Sequence, residues 1–191
     1  MYNLALFGPP GAGKGTLAKI LVEKYQFIHI STGDMIRKEI ADGSELGKMA
    51  AEIINNGQLL SDDIVIKMIE SRIKSEASDV FGFIFDGFPR TVAQAEALTE
   101  LLNNMGNPLN AFVKLEVPQD VLMARMLRRA AIENRADDTE EVILNRFKEY
   151  EAKTLPVFDY FKKQNICFEI EAIATPDEIA CNIVNRLGFN K

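Results

Sequence analysis

The chain has 191 residues, 47% of them apolar, enough for one substantial core and a single domain with small insertions. With 22 basic against 28 acidic residues, the net charge is −6. That excludes binding of nucleic acid by general electrostatic attraction, so an anionic ligand has to be held by a local cluster of cations. Cys167 and Cys181 stand alone without a C-x-x-C pair, and His29 is the single histidine, so neither a structural zinc nor a disulfide framework is expected. Reduced, buried thiols are.

No stretch approaches the roughly 18 consecutive apolar residues of a membrane span, and Met1-Tyr2-Asn3 leads into an apolar run without a signal-peptide pattern. A soluble, cytoplasmic protein with no membrane or nucleic-acid partner is the expectation. No internal repeat or low-complexity segment is visible.

In chain order, short apolar runs alternate with longer segments of helical period, the pattern of a parallel sheet covered on both faces. Strands are predicted at Asn3–Phe7, Phe27–Ile30, Phe81–Phe85, Ala111–Val117 and Ile166–Glu171. A helix follows the first strand from Leu17. Further on, Leu46, Met49, Ala50, Ile53 and Ile54 form one apolar stripe and Ile64, Val65, Met68 and Ile69 a second, both read as core packing. Thr175-Pro176-Asp177-Glu178 has an N-cap threonine, proline at the first helical position and a glutamate three after the cap; Asp138-Thr139-Glu140-Glu141 is similar. Pro156 should end or kink the helix before it. Two interruptions stand out: about fifty residues between the second and third strands, and an arginine-rich connection from Leu127 to Asp138 joining two helices. Both are candidate mobile covers over a site at the strand ends.

The strongest local signal is FGPPGAGKGT, Phe7 to Thr16, between the first strand and its helix. Its glycines let successive N–H groups point at an anion, the helix start adds partial positive charge, and Lys14 adds a full one. Gly8, Gly13 and Lys14 fit G-x-x-x-x-G-K-[ST], but Gly15 stands at the hydroxyl position and Thr16 comes one residue late. A metal ion therefore needs another protein ligand, and Asp86, at the end of the third strand, is the candidate. It opens Asp86-Gly87-Phe88-Pro89-Arg90, which brings Arg90 to the edge of the sheet that carries Lys14. Ser31-Thr32-Gly33-Asp34 follows the second strand; either hydroxyl suits a helix cap, and Arg37 lies one turn along.

Arg125, Arg128, Arg129, Arg135 and Arg146 are five of the nine arginines, within 22 positions. Such permanently charged forks suit polyphosphate recognition. Arg128 alone reads equally as a solvated face, and Asp137-Asp138 are placed to hold some of these arginines by ion pairs. His29, within Phe27-Ile28-His29-Ile30, reads as structural. An ionised phosphate acceptor needs no general base, and the sequence offers many cations but no nucleophile–base pair.

Taken together, GPPGAGKGT, STGDMIR, DGFPRTVAQAEAL and NRADDTEEVILNRF resemble the adenylate kinases, within the nucleoside monophosphate kinases, over nearly the whole chain. The resemblance implies a P-loop NTPase-type three-layer α/β/α fold with a five-stranded parallel sheet, a helical acceptor-binding insertion at about 31–75 and a short lid at about 126–138. It implies direct, reversible transfer from MgATP to AMP giving two ADP. A monomer is expected separately, because no exposed apolar stripe is identifiable in the sequence. Gly11, Ala12, Gly13, Lys14, Gly15, Thr16 and Arg129 would hold the ATP phosphates, with Ala174 near the ATP base. Thr32, Arg37, Gln58, Leu59, Leu60, Gly87, Arg90, Gln94, Arg135 and Arg146 would hold AMP. Lys14, Arg90, Arg125, Arg129, Arg135 and Arg146 would act on the phosphoryl groups, and Asp86 would meet Mg²⁺ through water. Two alternatives remain open: a UMP/CMP kinase, which shares the short lid but usually carries alanine at Thr32 and asparagine at Thr91, and a nucleotide-binding module without an acceptor.

Overall fold

A computed structural model describes residues 1–76, 80–133 and 139–188. Strand β1, Asn3–Phe7, is buried along its whole length, as the central strand of a parallel sheet must be. Leu4 and Leu6 face one core, while Ala5 and Phe7 face the other. Beside β1 lie β3 (Phe83–Asp86) and β4 (Leu109–Glu116); β2 (Ile28–Ser31) and β5 (Cys167–Glu171) form the edges. All pairings are parallel, in the order β2-β3-β1-β4-β5.

Helices α1 (Lys14–Tyr25), α6 (Gln119–Glu133), α7 (Glu140–Glu149) and α9 (Pro176–Leu187) contribute to the first core, through Leu17, Leu21, Met126, Ile143, Phe147 and Ile183 among others. The second core takes α2 (Thr32–Ala41), α3 (Glu45–Asn55), α4 (Asp62–Ser75), α5 (Val92–Asn104) and α8 (Leu155–Lys162). At its centre Phe112 stacks on Phe161 with centroids 4.5 Å apart and tilts against Phe7 at 4.9 Å. These are the separations at which aromatic pairs gain beyond simple burial. The expected five-stranded, three-layer α/β/α arrangement is present.

The expected boundaries shift by a residue or two. β3 begins at Phe83 rather than Phe81, because the chain at Gly82 lies against the backbone of Tyr2 and Phe81 turns outward, its ring edge-on to Phe27. β2 starts at Ile28 and extends through Ser31, whereas β4 starts earlier, at Leu109, and stops at Glu116. On α3, Gly47 and Ala50 are buried and Met49 is exposed, so the packed stripe is narrower than its apolar spacing suggests. Gly47 replaces Met49 as the contact because α2 comes close enough to exclude any side chain there.

Local chemistry explains the helix ends. Thr175 and Glu178 form a complete capping box at α9, a device worth about 1 kcal/mol. At α7 the cap is Thr139 rather than Asp138, and Val142 stands three residues on, so the glutamate half of the box is missing. The connection expected from Leu127 is helical as far as Glu133, as suits a run of arginines and alanines; residues 134–138, with Arg135, Asp137 and Asp138, lie outside the described residues. Between α7 and α8 a π-helical turn, Tyr150–Thr154, takes up the bond that Pro156 cannot donate, and the Leu155 N–H reaches the Tyr150 carbonyl. Cys181 is exposed and Cys167 half-buried, so the thiols are less enclosed than expected. Among the described residues, no helix is long and apolar enough to cross a membrane.

Candidate active site

The sheet prepares the site at its C-terminal edge. The connection leaving β1 runs toward β2, while the one leaving β3 crosses to β4 on the far side of β1. A crevice opens where such connections diverge. Register aligns its walls: Asp86 pairs with Leu6 on one side and Ser31 on the other. The loop after β1, the start of α2 and the turn after β3 therefore meet at one level.

The β1–α1 loop ends at Gly13, which caps α1 in the left-handed conformation (φ 93°) and offers no side-chain cap bond. Only glycine takes that conformation freely, and the N–H groups of the first turn are left for an anion. Lys14 folds back on the loop, donating to the Gly8 carbonyl at 2.8 Å and the Pro9 carbonyl at 2.9 Å. Burial lowers its pKa to about 8; Asp86 opposes that shift, while Arg90, Arg146 and Arg129 add to it. The ammonium thus shares its surroundings with three guanidinium groups and the Asp86 carboxylate.

Asp86 closes β3 with its carboxylate half-enclosed, 3.2 Å from Nε2 of His29. The histidine expected to be structural thus touches the candidate metal residue, a contact invisible in its apolar sequence setting. A Cβ on Gly15 would lie 3.3 Å from Asp86 Oδ2. The space that a hydroxyl side chain fills in the common loop is thus shared here with a carboxylate, and the glycine and Asp86 form one arrangement. A carboxylate oxygen facing a phosphate loop is the hard donor that Mg²⁺ takes, directly or through water, so the residues fit that ion. Among the described residues, no group of three or more histidine, cysteine, aspartate or glutamate side chains gathers as a metal site.

Around the turn after β3, hydrogen bonds lock the next residues. The Thr32 hydroxyl, buried at the start of α2, donates to the Gly87 carbonyl at 2.8 Å. Arg90 Nε donates to that same carbonyl at 2.7 Å. Ser31, not Thr32, caps α2 by accepting from the Asp34 N–H, which leaves Thr32 for this contact. Arg37 lies over Gly33 and pairs with Asp34. Burial pushes the Asp34 carboxyl up, but the hydrogen bond and charge of Arg37 outweigh it and hold it below the usual range.

Two cavities share this wall. One, of about 770 Å³, runs over the β1–α1 loop past Lys14, Thr16, Asp86, Arg125, Arg129 and Ala174. Arg128, which read equally as a solvated face, also lines it. Arg125 donates to the Ala172 carbonyl at 3.0 Å, which puts its guanidinium at the Ala172–Ala174 end of the cleft. The smaller cavity has an apolar side, Ile36, Ile54, Leu60 and Val65, and a polar side that includes Thr32, Gln58 and Gln94. Arg37, Arg90 and Arg146 border both cavities, together with Gly57, Leu59 and Gly87. Arg146 reaches this junction from α7, whose Asn145 amide donates to the Asn56 carbonyl at 2.5 Å. That link between residues 89 positions apart has no signature in the sequence.

Two adjoining cavities, one on a phosphate loop and one apolar with polar anchors, meet at a group of guanidinium ions. The chemistry such a site suits is the passage of a phosphoryl group between two nucleotides. Comparison with known proteins agrees. The sequence model of the family described as Adenylate kinase matches residues 6–166. An adenylate kinase of Xylella fastidiosa strain 9a5c is 45% identical over 186 residues, covering 97% of this chain and 99% of that protein. One from Bacteroides thetaiotaomicron is 44% identical over 190 residues, covering 98% and 100%. One from Stenotrophomonas maltophilia strain R551-3 is 46% identical over 182 residues, covering 95% and 97%. With the fold, the paired cavities and these full-length relatives in agreement, the chain belongs to the adenylate kinase family.

Proposed function

We propose that this chain catalyses reversible transfer of the γ-phosphoryl group from MgATP to AMP, giving two ADP. The observation that carries the reading is the junction at which Arg37, Arg90 and Arg146 border both cavities. An ionised phosphate oxygen of AMP attacks the γ-phosphorus in line. The bond from that phosphorus to the β–γ bridging oxygen breaks, and the electron pair leaves with ADP. No enzyme nucleophile or general base takes part; alignment and charge neutralisation supply the rate.

In this reading the amides of Gly11 to Thr16, with Lys14 and Arg129, hold the ATP phosphates. Arg125, which the resemblance sets on the phosphoryl groups, donates to the Ala172 carbonyl and is here assigned, with the backbone near Ala174, to the ATP base. Thr32, Arg37, Gln58, Leu59, Leu60, Gly87 and Gln94 receive AMP, and Arg90, Arg135 and Arg146 close on the phosphoryl group in flight. Asp86 would hold Mg²⁺, through water, and the ion bound with ATP would supply neutralising charge to the phosphate oxygens. Residues 31–75 form the acceptor cover and 126–138 the short lid, whose closure excludes water as a competing acceptor. The protein works as a cytoplasmic monomer.

The test is ADP formation by the purified protein from MgATP with AMP, CMP, UMP or GMP. AMP should be strongly preferred. A preference for CMP or UMP would overturn the acceptor assignment, and no acceptor-dependent ADP would overturn the kinase reading. Lys14→Met should lower turnover by at least about a hundredfold while circular dichroism stays native; near-normal turnover would refute the role given to the loop.

A further inference from the structure

Gln94 lines the smaller cavity, yet the residue is only 2% exposed and its side chain is already engaged at both ends. Its Oε1 accepts from the backbone N–H of Arg90 at 2.8 Å, and its Nε2 donates to Asp62 Oδ1 at 2.7 Å. The first bond resembles helix capping. Thr91 caps α5 by accepting from the Gln94 N–H, and in a capping box the side chain three residues on reaches back to the chain before the helix. Capping gives no reason for the second bond. Asp62 lies 32 positions away at the start of α4 and does not line the cavity.

These partners settle which way round the carboxamide sits. A carboxylate only accepts and a backbone N–H only donates, so the amide nitrogen must face Asp62 and the oxygen must face Arg90. Each end keeps one unused position, an N–H and a lone pair. A 6-aminopurine presents an acceptor at N1 and a donor at its amino group, and a 6-oxopurine presents the reverse. An amide held in one orientation can satisfy the first pattern or the second, not both.

We infer that Asp62 is a positioning residue that, as the second anchor beside the Arg90 N–H, holds the Gln94 carboxamide in one orientation and thereby sharpens the preference for a 6-aminopurine monophosphate acceptor. The inference rests on the reading of Gln94 as a contact to the acceptor base. Its competitor is a purely structural role for Asp62, a negative charge in the first turn of α4. Asp63, exposed in the same turn, shares that role and is the control.

The experiment measures kcat and KM for AMP and for inosine monophosphate at saturating MgATP, the KM for ATP, and the melting temperature. In Asp62→Ala the KM for AMP should rise roughly tenfold with kcat within about twofold, and the AMP-over-IMP ratio of kcat/KM should narrow by about tenfold. The KM for ATP should not move. Asp62→Asn keeps an oxygen that can accept from Nε2 and should restore most of the discrimination, and Asp63→Ala should leave it unchanged. An unchanged ratio in Asp62→Ala, while Gln94→Ala loses discrimination, overturns the role of Asp62 alone. A ratio unaffected by Gln94→Ala overturns the reading of Gln94, and the inference falls with it. Should Asp62→Ala not fold, solvent exchange of the Gln94 Nε2 protons in the unmodified protein decides: one slowly exchanging proton is expected, and fast exchange of both overturns the inference.

Discussion

Replacing Gly57 by alanine probes the join between α7 and the segment ahead of α4. Gly57 has φ +71°, and a Cβ there would lie 2.9 Å from Arg146 Cγ and 3.0 Å from the Val142 carbonyl oxygen. The conformation alone costs an alanine about 1 kcal/mol. Crowding against a backbone carbonyl adds roughly 1–2 kcal/mol, because α7 or the α3–α4 connection must give way. For a chain of this size the total of about 2–3 kcal/mol lowers the melting temperature by roughly 4–10 °C. Gly106 supplies the comparison, with φ +69° and nothing within 4 Å of its Cβ. Gly106→Ala should show only the conformational part, about 1 kcal/mol or roughly 3 °C. Because Arg146 stands at the phosphoryl junction, Gly57→Ala should also raise the KM for AMP severalfold, and Gly106→Ala should not. Equal thermal losses in the two variants, with the KM for AMP unchanged in both, would refute the packing argument.

Two further outcomes concern protons. Lys14 titrates at about 8 in the free protein, and polyphosphate should draw it back toward its ordinary value of 10.5. The protonated form is the one that binds, so ATP affinity should hold below about pH 7.5 and fall as pH rises through the free value. The fall should be about thirtyfold between about pH 7 and pH 9.5, with uptake of nearly one proton seen by calorimetry in buffers of different ionisation enthalpy; Lys14→Met showing the same fall would place the titration elsewhere. Burial pushes the Cys167 thiol from 9.0 to about 11, so at a given pH below that range its thiolate should be about a hundredfold scarcer than an ordinary one. Exposed Cys181 should therefore be alkylated first, as read by mass spectrometry of the native protein, and equal rates would contradict the burial of Cys167.

Much of this was legible in the residues, for a physical reason in each case. A central parallel strand is apolar on both faces, so Asn3–Phe7 is unmistakable, and a loop that must wrap an anion needs glycines at fixed offsets and a cation. Contacts made across the fold left no such trace. Nothing local pairs Asp62 with Gln94 or Asn145 with Asn56. His29 reads as one more residue of an edge strand until register sets that strand beside β3, whose last residue is Asp86. The choice between Ser31 and Thr32 as cap turned on a partner 55 residues away, the Gly87 carbonyl.

The π-helical turn at Tyr150–Thr154 also sets the phase of α8. An α-helix advances about 100° per residue, so the wider turn displaces every later side chain around the axis by about that angle. Ile143 and Phe147 before the turn serve one core, and Val157, Phe158 and Phe161 after it serve the other, across the sheet. Proline and wide turn together act as a rotary joint. They let one run of helical sequence seal both sides of the molecule while Arg146, a few residues upstream, stays pointed into the cleft between them. Deleting a single residue from the turn would rewind the joint and swing the three later anchors out of the core together.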